Sequence, residues 1–361
     1  MSDIGSSKTG GGAAVRDAKP DESDKPAGRV KPPRPYSPKN EPAARKPFAQ
    51  NAGRRPHVPI LLAAGVHAMT AILIAAIAWA ARHAPLAAVA AAAAAGALVP
   101  AGYRGLECLV HGAAHYDLFG FARADANDRV ANLLFAAPTL QDVKAFRASH
   151  NRHHQYQSGG GDPCRNRMAM NAAVQQDNLP TIVSVLRRVP AETLAFYRQA
   201  GGSRTTLLRA LAWHLCAFGL LGLALQDWSA LALAWAAVYL PAFTVVLPVI
   251  RALGEAGEHD YRLSALGDNT KGELQRTFNN DGLLNWLLHP FGDHFHVEHH
   301  EFPSLPQYNL YRLHAALMRE VPGYAQHAQR RVSVLGPVAP YARPARPAND
   351  NLLVPANTNA P

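Results

Sequence analysis

Between Val58 and Ala81 the chain runs for 24 residues without a formally charged side chain, rich in Ala, Ile and Leu. A helix of that length crosses a hydrocarbon core about 30 Å thick, and buried helices of soluble proteins rarely stay apolar all round for so long. A second apolar run, Leu86–Tyr103, follows the break Arg82-His83-Ala84-Pro85. Two more, Leu207–Leu225 and Trp228–Ile250, are separated only by Gln226-Asp227, and Arg209 near the end of the first of these is free to snorkel. The pattern predicts an all-α integral membrane protein. Its four transmembrane helices, about 58–81, 86–103, 207–225 and 228–250, pair in two hairpins. Pro241 and Pro248 predict a kink in the fourth.

Outside this region large apolar side chains are scarce. Residues 1–56 read as a disordered, basic, Pro-rich tail and 333–361 as a second disordered tail, leaving 57–332 as the membrane domain. Residues 1–55 hold 12 Lys and Arg against 6 Asp and Glu, and so supply much of the formal charge of +10. Such a tail is read as a cytoplasmic segment that touches lipid head groups or a redox partner, with no nucleic acid partner. No cleavable signal peptide is expected, because the N-terminus has no apolar core until Val58. The two hairpin tips carry a single Lys or Arg, Arg82, so they face outward. Both termini, the long loop between the hairpins and everything after Ile250 then share the cytoplasmic side. Three scattered cysteines, Cys108, Cys164 and Cys216, make neither a disulfide framework nor a thiolate zinc site.

Seventeen histidines are the anomaly, and they cluster on that side. Three boxes stand out: His111-Gly-Ala-Ala-His115, His150-Asn-Arg-His153-His154 and His296-Val-Glu-His299-His300. On a helix, positions i, i+3 and i+4 share a face, so each box presents two or three imidazoles together. Eight imidazoles from three segments suit more than one metal ion. Neutral rings leave the metals strongly positive and favour anionic oxygen species. Carboxylates must orient the rings, and Asp162, Glu258, Glu298 and Glu301 are nearest in sequence. His294-Phe-His296-Val-Glu-His299 superficially matches the HxHxDH run of metallo-β-lactamase-like hydrolases, but that reading leaves two boxes unexplained. No HExxH occurs, and His289-Pro-Phe-Gly lacks the separate domain that a haem site needs. His67 and His214 fall within spans, where packing or hydrogen bonding is expected. His57, His83 and His327 read as surface residues. His289, His294 and His314 flank the third box.

From about Ala101 to His314 the sequence resembles the integral-membrane fatty acid desaturase family, whose members carry HxxxH, HxxHH and HxxHH boxes in this order. The likeness continues through Tyr116-Asp-Leu-Phe119, Asn127, Asn132, Gln155 and Asp162-Pro163. It ends in His296-Val-Glu-His299-His300-Glu-Phe-Pro303-Ser-Leu-Pro306 and Leu313-His314, an ending common in bacterial members. The resemblance implies a four-helix membrane stem with a cytoplasmic helical cap, two non-haem iron ions, and a bacterial inner-membrane location. It also implies a ninth ligand just past the fourth span, where Glu258-His259-Asp260 supplies His259. The implied metal ligands are thus His111, His115, His150, His153, His154, His259, His296, His299 and His300. The sequence departs from the pattern at Gly112, where many relatives have an acidic residue.

The implied chemistry is O2-dependent oxidation of an unactivated C–H bond, with no catalytic side chain beyond the metal ligands. The expected reaction introduces a double bond into a fatty acyl chain, carried by a lipid or by CoA. The alternatives are a hydroxylase or ketolase of the same superfamily acting on another lipid such as a carotenoid, and a non-catalytic membrane lipid-binding protein. Electrons are expected from an external ferredoxin or b-type cytochrome with its reductase. Val130–Leu140, too short to span, is expected at the interface or in the cap.

Overall fold

The computed structural model describes residues 36–157, 161–164, 179–259, 276–331 and 338–341. Among these, helices are α1 (Pro42–Asn51), α2 (His57–His83), α3 (Pro85–Ala114), α4 (Ala124–Ala131), α5 (Val143–Tyr156), α6 (Leu179–Ala200) and α7 (Arg204–Leu225). They continue as α8 (Trp228–Ala256), α9 (Asn285–Leu288), α10 (His296–Glu301), α11 (Leu310–Glu320) and α12 (Tyr324–His327). Strands β1 (Phe278–Asn280), β2 (Gln329–Arg331) and β3 (Val338–Pro340) form a small sheet, β1 parallel to β2 and β2 antiparallel to β3.

Four helices, α2, α3, α7 and α8, are long and apolar enough to cross a membrane. Leu61, Ile72, Trp79, Leu211, Leu215, Leu223 and Leu233 project from them exposed, as a surface solvated by lipid rather than water requires. The two hairpin tips lie together, because Arg82 donates to Asp227 at 2.7 Å and to Ser229 at 3.0 Å. Asp227 also caps α8 by accepting from Ala230 N at 3.1 Å. The opposite end of the bundle carries the three histidine boxes.

The second span is longer than its apolar run. Thirty residues at 1.5 Å each make about 45 Å, so roughly a third of α3 extends beyond a hydrocarbon core about 30 Å thick. Its second half, from Val99 to Ala114, is buried throughout. In place of a simple proline kink, α8 widens into π-helical turns over Trp235–Tyr239 and Ala242–Val246, flanking Pro241 and preceding Pro248. A π turn re-routes the backbone bonds that a proline cannot donate.

Two expectations need correcting. Pro42–Asn51, read from composition as part of a disordered tail, is a helix: Ala44 and Pro47 are buried, and Phe48 stacks on Phe302 at 5.6 Å. Val338–Pro340, placed in the other tail, is a strand. Their order comes from contacts outside each segment, the helix with Phe302 and the strand with Gln329–Arg331, which local composition does not register. Val130–Leu140 exposes Leu133. It folds through a π turn and a 3-10 turn with Phe135, Ala136 and Ala137 fully buried against the core.

Close approach of α7 and α8 requires Gly222, where a Cβ would lie 2.1 Å from the Trp228 ring. Gly222→Ala is expected to destabilise the protein by about 1–3 kcal/mol through overpacking. Thermal unfolding in detergent checks this, and an unchanged midpoint would contradict the packing.

Candidate metal centre

The first box sits where α3 leaves the membrane, with His111 on the last turn and His115 as the residue that ends the helix. Arg147 of α5 locks this end in place. It donates to the Ala114 and Ala113 carbonyls at 2.8 and 3.2 Å and to Asp128 at 3.0 Å. Asn127 adds a bond to the Ala113 carbonyl at 2.9 Å. The second box lies on α5, which starts at Asp142: its carboxylate accepts from Lys144 N and Ala145 N at 2.9 and 3.0 Å. The third box is α10, whose Val297 N donates to Asn279 on β1 at 2.8 Å.

These elements bring all nine sequence-predicted histidines together, in two adjacent sets. His111, His115, His150, His154 and His299 offer ring nitrogens that all lie within 4.8 Å of one another. The Nε2 of His299 is 2.8 Å from that of His111 and 3.0 Å from that of His154, and His150 Nε2 is 2.9 Å from both of those. The second set joins His153, His259 and His300, with His296 Nε2 3.0 Å and His153 Nε2 3.1 Å from His259 Nε2. The His154 and His300 rings, one from each set, are only 4.2 Å apart.

Each HxxHH box therefore divides. The i, i+4 pair of the second box, His150 and His154, serves the first set, and the i+3 residue His153 serves the other. The third box reverses this: His296 and His300 enter the second set and His299 the first. Positions i+3 and i+4 are about 100° apart around a helix, so one short helix reaches two points.

Metal ions fit this arrangement better than hydrogen bonds do. His111 Nδ1 faces the Asp293 carboxylate at 2.8 Å and so acts as the donor there, while its Nε2 faces two further Nε2 atoms and no acceptor oxygen. Nitrogens about 2.1 Å from one ion at right angles stand about 3.0 Å apart, which is the spacing seen. His115 Nε2 and both ring nitrogens of His300 are buried with no hydrogen-bond partner. Burial, followed by repulsion from neighbouring imidazoles, depresses the pKa values of His150, His154, His259, His299 and His300, and that of His115 to about 3. Burial also takes His296 down to about 4, against Glu258 and Asp293. These rings are neutral, with lone pairs available. His153 differs. Burial works against its proton, but Cys164 and the Asp162 carboxylate outweigh it and lift the pKa to about 10. Its Nδ1 lies 3.1 Å from both Asp162 oxygens and its Nε2 is aimed at His259, so a metal ion held there takes the place of the second ring proton.

The orienting carboxylates are only partly those nearest in sequence. Asp162 holds His153, and Glu258 lies 3.7 Å from His296 and 3.5 Å from the buried His289. Glu298 instead turns away, to Asn279 at 2.9 Å and to His314 and Tyr324, while Glu301 meets Ser37 and Lys39. Helical geometry explains both: with His296, His299 and His300 facing the other imidazoles, residues 298 and 301 face elsewhere. Asn151 and Arg152 are exposed. Sequence reasoning missed Asp293, the partner of His111, which Gln307 and Arg104 steady at 3.0 and 3.4 Å. It also missed Gln157, whose carboxamide is 2.7 Å from His259 Nδ1. Asp293 stands just before the His294-Phe-His296 run, a place where a carboxylate among histidines was a usable signal.

Gly112, the departure from the family pattern, has a physical reason. A Cβ there would lie 2.5 Å from Asp117 Oδ2 and 3.0 Å from Gln307 Oε1. Asp117 thus occupies the space that an acidic side chain at 112 would need. Asp293→Ala is expected to weaken metal retention about 10- to 100-fold by freeing the His111 ring. Metal content after dialysis against a chelator measures this, and wild-type retention would exclude the orienting role.

A bundle of four membrane-crossing helices that gathers imidazoles into two metal-suited sets at one end defines a class of membrane protein. The family model for fatty acid desaturase matches residues 84–331, well over half of the chain, and the chain belongs to that family. It is accordingly an integral membrane protein and an oxidoreductase of the desaturase and hydroxylase type. No curated protein sequence matches it significantly.

Proposed function

We propose that the chain is an O2-dependent di-iron enzyme that introduces a double bond into a fatty acyl chain carried by a lipid or by CoA. The observation that carries this reading is the pairing of two imidazole sets beside a cavity. The cavity, about 90 Å3, is lined by His111, His150, His153, His259 and His296, by the apolar Phe146, Pro248 and Ala252, and by charged residues that include Arg104, Glu107, Arg251 and Glu258. Its apolar wall suits a methylene chain, and its position beside the proline-bearing end of α8 supports a substrate path there.

The proposed ligands are His111, His115, His150, His154 and His299 for one iron and His153, His259, His296 and His300 for the other. When bound, such a pair supplies O2 activation and the oxidising power to break an unactivated C–H bond, which no side chain has. The protein's own residues fix the geometry. Asp293 and Asp162 hold ring protons on Nδ1 and so keep Nε2 atoms directed inward. Phe146, Pro248 and Ala252 offer the apolar contacts that hold adjacent carbons against the site. The balance is two C–H hydrogens, O2, two electrons and two protons giving one alkene and two waters. The electrons come from an external ferredoxin or b-type cytochrome with its reductase. With Arg82 alone at the hairpin tips, the metal centre and both termini face the cytoplasm of a bacterial inner membrane.

Mass spectrometry of lipids from a host expressing the chain, beside a His153→Ala control, tests the proposal. The expected product is an acyl chain lighter by two hydrogens that is absent from the control. Gain of one oxygen would overturn desaturation in favour of hydroxylation. No change in any acyl lipid from a metal-loaded protein would overturn the acyl substrate.

A further inference from the structure

A second cavity, of about 360 Å3, lies within the bundle between α2, α3, α7 and α8. Its wall residue Tyr103 precedes His111 on α3 by eight residues, or about 12 Å of helix, so the cavity lies deeper in the membrane than the metal centre. Aromatic rings close it on that side. Tyr239 donates to Tyr103 at 2.8 Å, and Tyr103 meets Phe243 edge-on at 5.6 Å. At the other side Leu220 is exposed, so the mouth opens toward the hydrocarbon. Volume and lining fall in the range of small-molecule sites, mostly apolar with a few placed polar groups.

Those polar groups specify the ligand. His67 Nε2 is 2.9 Å from the Leu134 carbonyl, which can only accept, so Nε2 carries the ring proton. Nδ1 is then an acceptor, and it is buried with no partner. Thr70 follows on the same helical face, 8% exposed, and its Oγ1 is also buried without a partner. The histidine on the facing wall is different: His214 is bonded to Tyr239 at 3.2 Å and to the Pro138 backbone. One wall is complete, and the other presents an acceptor beside a hydroxyl within a membrane interior that offers no water to either.

We infer that this cavity binds an elongated apolar molecule ending in a hydroxyl, seated with its O–H on His67 Nδ1 and its oxygen accepting from Thr70. It is a lipid site separate from the oxidation cavity and does not depend on the reaction proposed above. Trp213 and Trp235 line it and provide the readout.

The test is quenching of tryptophan fluorescence, in purified full-length protein, by a bromine-tipped long-chain alkanol and by the bromoalkane of equal length. Saturable quenching is expected from the alkanol, and quenching merely proportional to concentration from the alkane. Thr70→Val should weaken alkanol binding about fivefold, the equivalent of one hydrogen bond, and Thr70→Ser should restore it. Ala217→Phe, which fills the cavity, should remove the saturable component while the metal content stays at the wild-type level. Replacing Trp213 and Trp235 together by Phe should remove it as well. Equal behaviour of alkanol and alkane would overturn the inference, as would saturable quenching that survives both Thr70→Val and Ala217→Phe.

Discussion

Replacing His299 by alanine is expected to empty one metal position, taking iron from two per chain toward one, and to abolish product formation. His299 Nε2 approaches His111, His150 and His154 within 2.8 to 3.4 Å, so its loss opens the set of five on the side of α10. His300→Ala, one residue further along the helix, acts on the other set, with His153 and His259. Losing only a residue that orients a ligand typically costs about 10- to 100-fold, and removing a ligand should exceed that. His314→Ala is the informative control. It follows the third box but faces Glu298 and Tyr324, away from both sets, so its metal content should remain that of the wild type. Metal analysis and product yield on the three variants check this. Equal metal loss in His299→Ala and His314→Ala would contradict the division described.

Glu107→Ala should destabilise the protein by about 3–5 kcal/mol, the usual cost of leaving a buried charge without its partner. Glu107 on α3 receives Arg251 of α8 in a forked pair at 2.7 and 3.0 Å, and Arg104 lies 3.5 Å away. Arg251 is further held over the Phe196 ring at 3.9 Å and by Tyr197 Oη at 3.1 Å. Arg104 in turn reaches Glu258 and Asp293 at 3.6 and 3.4 Å, so the network ties two spans to the surroundings of both metal sets. Glu107→Gln keeps the shape and some of the hydrogen bonds, and its loss should be smaller. Thermal unfolding of the two variants in detergent measures the difference. A Glu107→Ala protein as stable as the wild type would show that the pair adds no stability.

What the sequence disclosed follows the range of the physics involved. A transmembrane run declares itself because length and apolarity are local, and the four spans were legible to within a few residues at most ends. The second span was not, since α3 continues past Tyr103 through Arg104 and Glu107, charges that look like an exit from the membrane until their partners are seen. The histidine boxes were legible because i, i+3 and i+4 spacing is also local. Their division between two sets was not assigned, although the angle between i+3 and i+4 contains it, because the assignment needs to know what each face meets. Asp293, Gln157 and Arg104 gain their roles from residues far away in the chain. Glu298 and Glu301 misled for the converse reason: proximity in sequence to a ligand put them on the wrong side of a short helix. Helix α1 carries too little apolar surface to be seen alone, and its anchor is Phe48 against Phe302.

The central claim is that the nine imidazoles hold two iron ions, and metal analysis of the purified wild-type protein tests it most directly. Elemental mass spectrometry should find about two iron atoms per chain, and X-ray absorption at the iron edge should show nitrogen and oxygen neighbours without sulfur. One ion per chain, a thiolate sulfur at the metal, or a protein that folds and remains metal-free in iron-replete cells would contradict it.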